Sequence, residues 1–227
     1  MLQQLLDGND FYATIVEMGE EITFLTEPNI IRYASIAPHR ITNTTDGAYW
    51  YRGAMTFDSV EEQNKLIGEY FTRQTNAGPK YILTSVMPEN TTPKMATVYA
   101  VECNEVVDVI SHYQDTGEVD KYGEPIIEPV YLAQDIDVYM TMTLERIQTE
   151  TPGGFIETKT VIWLPAKTTI SSSNIVLKQS FVFDKKLQKN VYSKIKYRVE
   201  SIDTSMMDIV NEQPVGVVKC LLTEDKR

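Results

Sequence analysis

Along most of this chain apolar and polar residues alternate with a period of two, the pattern of strands that bury one face and wet the other. The longest run is "LAQDIDVYMTMTLE". Leu132, Ile136, Val138, Met140, Met142 and Leu144 fall on one face, and Asp135, Asp137, Tyr139, Thr141, Thr143 and Glu145 on the other. At a rise of about 3.3 Å per residue it would span roughly 40 Å, long enough to invite a bend or bulge. "TPGG" (Thr151 to Gly154) then turns the chain into "FIETKTVIWLP", its natural hairpin partner. "IVLKQSFVF" and "NVYSKIKYRVESI" form a further pair, and "VGVVKCLLT" a last strand.

Upstream, "KYILTSVM" reads as a strand and "MATVYAVECNEVVDVISHY" as one long or two broken strands, rich in β-branched residues. A short helix is expected at Leu2 to Leu6. "FYATIVEMGEEITFLTEP" predicts two short strands around a Gly19 turn, and "NTTDGAYWYRGAMTF" an Asp46-Gly47 turn into an aromatic strand.

One stretch has a helical period instead. Ser59 caps a start at Val60, and Glu62 completes a Ser-x-x-Glu box. Val60, Gln63, Ile67, Tyr70, Phe71 and Gln74 make a stripe, so the spacing predicts a helix over 60–76, stopped by Gly78-Pro79. The expected fold class is therefore mainly β: an antiparallel β-sandwich or barrel-like sheets with one principal α-helix. The expected division is an N-terminal α+β region, 1–93, carrying that helix, and a C-terminal antiparallel β domain, 94–227. "QDTGEVDKYGEPIIEP", with its glycines, prolines and acids, is expected over 114–129 to be a long flexible insertion or a domain edge. No internal repeat is visible in the sequence.

At 227 residues the chain can bury a core without staples. It carries 32 carboxylates against 21 Lys and Arg, a formal net charge of -11. That balance argues against a general grip on nucleic acid, which needs a cationic face to displace counterions. Cys103 and Cys220 are far apart without metal-ligand spacing and are expected to be buried, reduced thiols. No stretch has the apolar length of a membrane helix, the start is unlike a signal peptide, and a reducing cytosol is the expected place of synthesis.

No nucleophile-and-base set, phosphate cradle or zinc motif stands out, and neither enzymatic activity nor a cofactor or metal is expected. His39 lies in a Pro-His-Arg turn and His112 at a strand end. Asp135 and Asp137 share a strand face, which suits either a solvated row or a cation. Two segments are candidate interaction sites. "AYWYRG" offers Tyr49, Trp50, Tyr51 and Arg52, residue types that make interface anchors and sugar platforms, although alternation sends Trp50 to the face opposite Tyr49 and Tyr51. In "NVYSKIKYRVESIDTS", Lys194, Lys196 and Arg198 form an outer cationic row opposite Ile195, Tyr197 and Val199, either as a wet face or as a contact for an acidic neighbour.

In "KIKYRVESIDTS" (Lys194 to Ser205) and "VGVVKCLLTED" (Val215 to Asp225) the chain resembles tailed-bacteriophage neck proteins: the head-completion, head-closure (stopper) and tail-joining ring proteins. The resemblance covers about a third of the chain. It implies a structural virion protein without catalysis, forming rings of six or twelve copies in the head-tail connector. Its partners would be further copies of itself, a portal or adaptor ring, and tail proteins, with DNA passing through the channel without sequence-specific binding. It further implies location in the virion neck or tail region, and in the host cytoplasm during assembly. The segment 114–129 would be either a contact to the channel or a neighbouring ring, or a plain solvated hairpin tip. A tail terminator or tail tube protein is the alternative within that class. A carbohydrate- or ligand-binding β module using Tyr49 to Arg52 is the alternative outside it.

Overall fold

The computed structural model describes residues 8–40, 49–89, 94–147, 155–184 and 188–225. The fold is mostly antiparallel β, with little helix. In chain order come α1 (Gly8–Met18), β1 (Glu20–Phe24), β2 (Ile31–Arg40), β3 (Tyr49–Thr56), α2 (Val60–Lys65), β4 (Tyr70–Arg73), β5 (Asn76–Pro88) and β6 (Met95–Glu102). Then follow β7 (Glu105–Val119), β8 (Pro125–Ile147), β9 (Phe155–Pro165), a 3-10 turn (Ala166–Thr168), β10 (Ile175–Asp184), β11 (Lys189–Asp203), β12 (Met207–Val210) and β13 (Gln213–Glu224).

The first six strands close into a barrel in the order β1-β2-β3-β6-β5-β4. The later strands run β11-β10-β7-β8-β9-β13, and pairing of β11 with β13 closes this second ring of six, with β12 appended to β13. Ranked along the chain with β12 set aside, the second ring reads β7-β8-β9-β13-β11-β10, which is the same 1-2-3-6-5-4 order as the first. In each barrel a helical turn occupies the connection between the third and fourth strands: α2 in one, the 3-10 turn in the other. The sequence shows no repeat, yet the topology repeats. A barrel constrains the inward, outward and turn positions of its strands, and many residues satisfy those equally.

Each barrel has its own apolar interior. Ile22, Phe24, Met55, Phe71, Tyr81 and Leu83 help fill the first. Val107, Val138, Ile162, Val176, Val218 and Leu222 help fill the second. A third cluster joins the two barrels, built from Trp50, Ile82, Val101 and Cys103 on one side and Tyr139, Val161, Trp163 and Val217 on the other. Burial of an apolar side chain of this size stabilises by about 1.5–3 kcal/mol, so this junction holds the barrels as firmly as a core holds its strands. Backbone approach tightens it: the Gly216 N–H donates to Ile67 O at 3.1 Å. Gly68 (φ +85) and Gly216 (φ +113) meet there, and a Cβ on Gly68 would lie 2.1 Å from Gly216 O.

Several sequence expectations need correction. The helix predicted over 60–76 stops at Lys65, and Tyr70 already belongs to β4. The capping box is present, with Ser59 Oγ accepting from Glu62 N at 3.2 Å, while the Glu62 carboxylate reaches back one residue further, to Asp58 N at 2.6 Å. Left-handed Gly68 ends the run, and Phe71 on β4 then enters the barrel core while β4 pairs with β1 and β5. Sheet pairing outweighs the helical stripe, and Gly78-Pro79 lies within β5.

Phe11 to Met18 is helix rather than strand. Ile15 is its buried residue, and Thr14 Oγ1 donates to Asp10 O at 2.8 Å, a bond that reconciles a β-branched residue with a helix. β6 closes the first barrel, so strand pairing does not divide at the expected 93/94 boundary; the chain passes between barrels at Cys103-Asn104. His39 lies in β2 and not in a turn. The expected Leu2 to Leu6 helix and the turns at Asp46-Gly47 and Thr151 to Gly154 fall outside the described residues. The pairing of β8 with β9 and of β10 with β11 is as expected, and Cys103 and Cys220 are buried free thiols. No helix among the described residues is long and apolar enough to cross a membrane.

Candidate interaction surfaces

Of the alternatives open for 114–129, the hairpin is the one observed, and it is a hydrogen-bonded ladder rather than a flexible insertion. β7 and β8 continue beyond the barrel and pair with each other through Tyr113–Pro129, Gln114–Glu128, Asp115–Ile127 and Val119–Pro125. From His112 to Val119 every residue is exposed, a free arm of roughly 25 Å at strand rise. The glycines and acids that suggested a loop make local turns instead. Asp120 Oδ1 accepts from Tyr122 N at 2.8 Å and Glu124 N at 3.0 Å, Gly123 takes φ +86, and Asp115 Oδ1 accepts from Gly117 N at 2.8 Å.

The arm carries Asp115, Glu118, Asp120, Glu124 and Glu128 against a single Lys121. Four large apolar side chains are exposed on it: Tyr113 at 40% near its root, and Val119 at 64%, Tyr122 at 77% and Ile127 at 58% toward its tip. The corresponding link of the first barrel, between β1 and β2, is only the stretch 25–30. The barrel fold therefore closes without an arm.

At the arm's root the ladder is irregular, with register shifts between Val107 and Val109, Val109 and Ile110, and Ile110 and His112. Asp135 adopts φ 51, which breaks the strand's alternation. Asp135 is consequently exposed, while Asp137 forms an ion pair with Lys80 across the barrel junction and Tyr139 is buried there. The two aspartates that share a face in the sequence pattern do not converge on one site.

The cationic row lies on the outer side of β11, as alternation predicts, and its charges are engaged within the chain. Lys194 Nζ meets Asp108 Oδ2 at 2.9 Å, Lys196 Nζ sits 5.5 Å from the centroid of the Tyr113 ring, and Arg198 Nε meets Asp225 Oδ2 at 3.1 Å. Asp108 and Tyr113 belong to β7, one at the root of the arm and one on it. Nothing in the linear sequence marks them as partners of a strand some eighty residues later.

Within the aromatic segment Trp50 and Tyr51 are taken up by packing, and Arg52 is left at the surface. Trp50 is 7% exposed and meets Trp163 edge-to-face in the junction. Tyr51 packs against the first barrel's core, donates to Glu102 at 2.5 Å and stands edge-on to Tyr81; burial, then the Glu102 carboxylate, push its phenol well above the usual range. Arg52 is exposed, its guanidinium 5.6 Å from the Tyr99 ring centroid, and Tyr49 contributes backbone pairing to β3. Among the described residues no group of three or more His, Cys, Asp and Glu is placed to hold a metal.

No protein-family model, curated protein or solved structure matches this chain.

Proposed function

We propose that this chain is a structural assembly protein, a subunit of an oligomeric ring in the head-tail connector of a tailed bacteriophage, and that the β7–β8 arm is its principal contact with neighbouring subunits. The observation that carries this reading is the arm itself. One of two barrels with the same strand order bears a hairpin extension that barrel closure does not require, tipped with exposed Val119, Tyr122 and Ile127. A two-stranded ribbon in water is marginal, and apolar side chains along one gain burial when another surface receives them.

A closed ring is built from heterologous contacts between unlike surfaces of successive subunits, and a projecting arm meeting a barrel wall is such a pair. In this reading portal or adaptor and tail rings lie above and below. The acidic balance lets DNA move past without adhering. The same features suit a tail terminator or tube subunit, which differ in the rings they meet.

The test is light scattering and negative-stain imaging of the full chain, alone and with the products of the genes flanking its own. Ring particles, or a defined complex with one of those products, are expected. A chain that stays monomeric and joins none of them overturns the reading.

A further inference from the structure

We infer that the cationic row of β11 is a bracket that aims the β7–β8 arm, rather than a surface offered to a neighbour. The backbone alone leaves the arm's direction loosely defined. Three register shifts fall within Val107–His112, and each weakens the ladder and bends it. β10 pairs with β7 only from Val107 to Ile110, so beyond that point no third strand supports the arm.

Side chains supply the missing restraint. Asp108, 5% exposed, receives two groups: the Asp135 N–H, at 3.0 Å, fixes the bulge of β8, and Lys194 Nζ, at 2.9 Å, comes from β11 on the far side of β10. One turn of the ladder outward, Lys196 lies over the Tyr113 ring. Leu177 pairs with Asp108 on one side and Lys196 on the other; it is 5% exposed although its neighbour Val176 takes the inward position. The Asp108 carboxylate is thus buried while the Lys194 side chain stays 39% exposed, so the pair closes over the strand at the rim of the solvent, within reach of salt. Arg198, the third cation of the row, points its charge to Asp225 near the chain's end and plays no part in the bracket.

Charge substitutions in the row thus act on arm direction first, and on any assembly through it. The inference stands on the isolated chain whichever assembly the protein serves, so its failure and that of the proposed function are separable.

The experiment compares wild type, the double variant Lys194→Gln/Lys196→Gln, and Arg198→Gln, each as full-length chain. Amide hydrogen exchange is read over 111–116 and 126–131, with Ile82 and Val101 in the first barrel as reference for global stability. Spin labels at Glu118→Cys and Lys94→Cys report the distance from arm to first barrel. Expected for the double variant are roughly fivefold faster exchange in the arm and a broader distance distribution, with the reference amides unchanged. Arg198→Gln is expected to match wild type. Where the double variant also speeds the reference amides, wild type in about 1 M salt decides, since charges there are screened beyond about 3 Å and the distance distribution should broaden without mutation. An arm that keeps its exchange rates and distances in the double variant, or its distances in salt, overturns the inference. So does an arm loosened equally by Arg198→Gln.

Discussion

The indole rings of Trp50 and Trp163 meet edge-to-face at the junction of the two barrels, their centroids 5.3 Å apart and their planes at 86°. One comes from the third strand of the first barrel and the other from the third strand of the second. Truncating either leaves a cavity that two rigid barrels cannot collapse around. Trp50→Ala and Trp163→Ala should each cost about 3–5 kcal/mol. Denaturant unfolding followed by far-UV circular dichroism measures the loss. Separation of the transition into two steps is the further sign that the rings tie the barrels together.

Gly68 and Gly216 meet backbone to backbone where the barrels join, and both hold positive φ values. Gly68→Ala and Gly216→Ala should each destabilise by more than about 2 kcal/mol, because the added Cβ meets backbone that cannot rotate away. Gly78→Ala is the control: a Cβ there meets nothing within 4 Å, and its melting temperature should stay close to that of wild type.

Shortening the arm should leave the fold intact. With 114–128 replaced by an Asn-Gly turn between the paired Tyr113 and Pro129, the second barrel keeps all of its closing pairs, so thermal unfolding should change little. Val119→Ser with Tyr122→Ser should likewise fall within about 0.5 kcal/mol of wild type, both side chains being solvent-exposed already. A melting temperature that collapses on shortening would make the arm part of the barrel's own stability.

Burial holds both thiols protonated, pushing Cys220 up from 9.0 to about 12 and Cys103 further still. Neither should react with an alkylating agent at pH 8 in the native chain, and both should react once it is unfolded. The sign for stability follows from the raised native values. Below pH 9 the thiols are neutral in both states, and as pH climbs from about 9 toward 12 only the unfolded state gains by ionising, so stability falls across that window. Denaturation midpoints from pH 8 to 11 check it, with Cys220→Ala expected to flatten the slope.

Strand identity was legible from alternation because one face of nearly every strand meets a barrel interior. The second face was harder to read. Tyr139 lies on the polar side of its strand in the sequence pattern, and Trp50 opposite its neighbouring tyrosines, because their outer surface is another barrel rather than water. The helix at Ser59 announced its start through its cap, but its end was set by Gly68 and by strand pairing from elsewhere in the chain. The arm read as a loop because the same acids and glycines serve Asx turns inside a ladder. The cationic row was placed on the correct face, whereas its partners Asp108 and Tyr113 follow only from two barrel strands being laid on either side of β10 and from the arm's path.

Closure of both barrels also governs how this chain can aggregate. A strand with an unpaired edge is a template for the next chain, and rings of strands have none to offer. The appended β12 is guarded as well, since its Ile209 N–H is taken by the Asp208 side chain and its Met207 N–H by Thr204 O. Among the described residues unpaired edges lie where hairpins outrun the barrel: β7 beyond Ile110 and β8 before Tyr139 in the arm, and, in the other hairpins, the outer sides of β10 beyond Lys178, β11 before Tyr197, β8 beyond Met140 and β9 before Thr160. Sheet growth between molecules is thus confined to the hairpins that project past the barrels, while the barrel walls themselves present no edge.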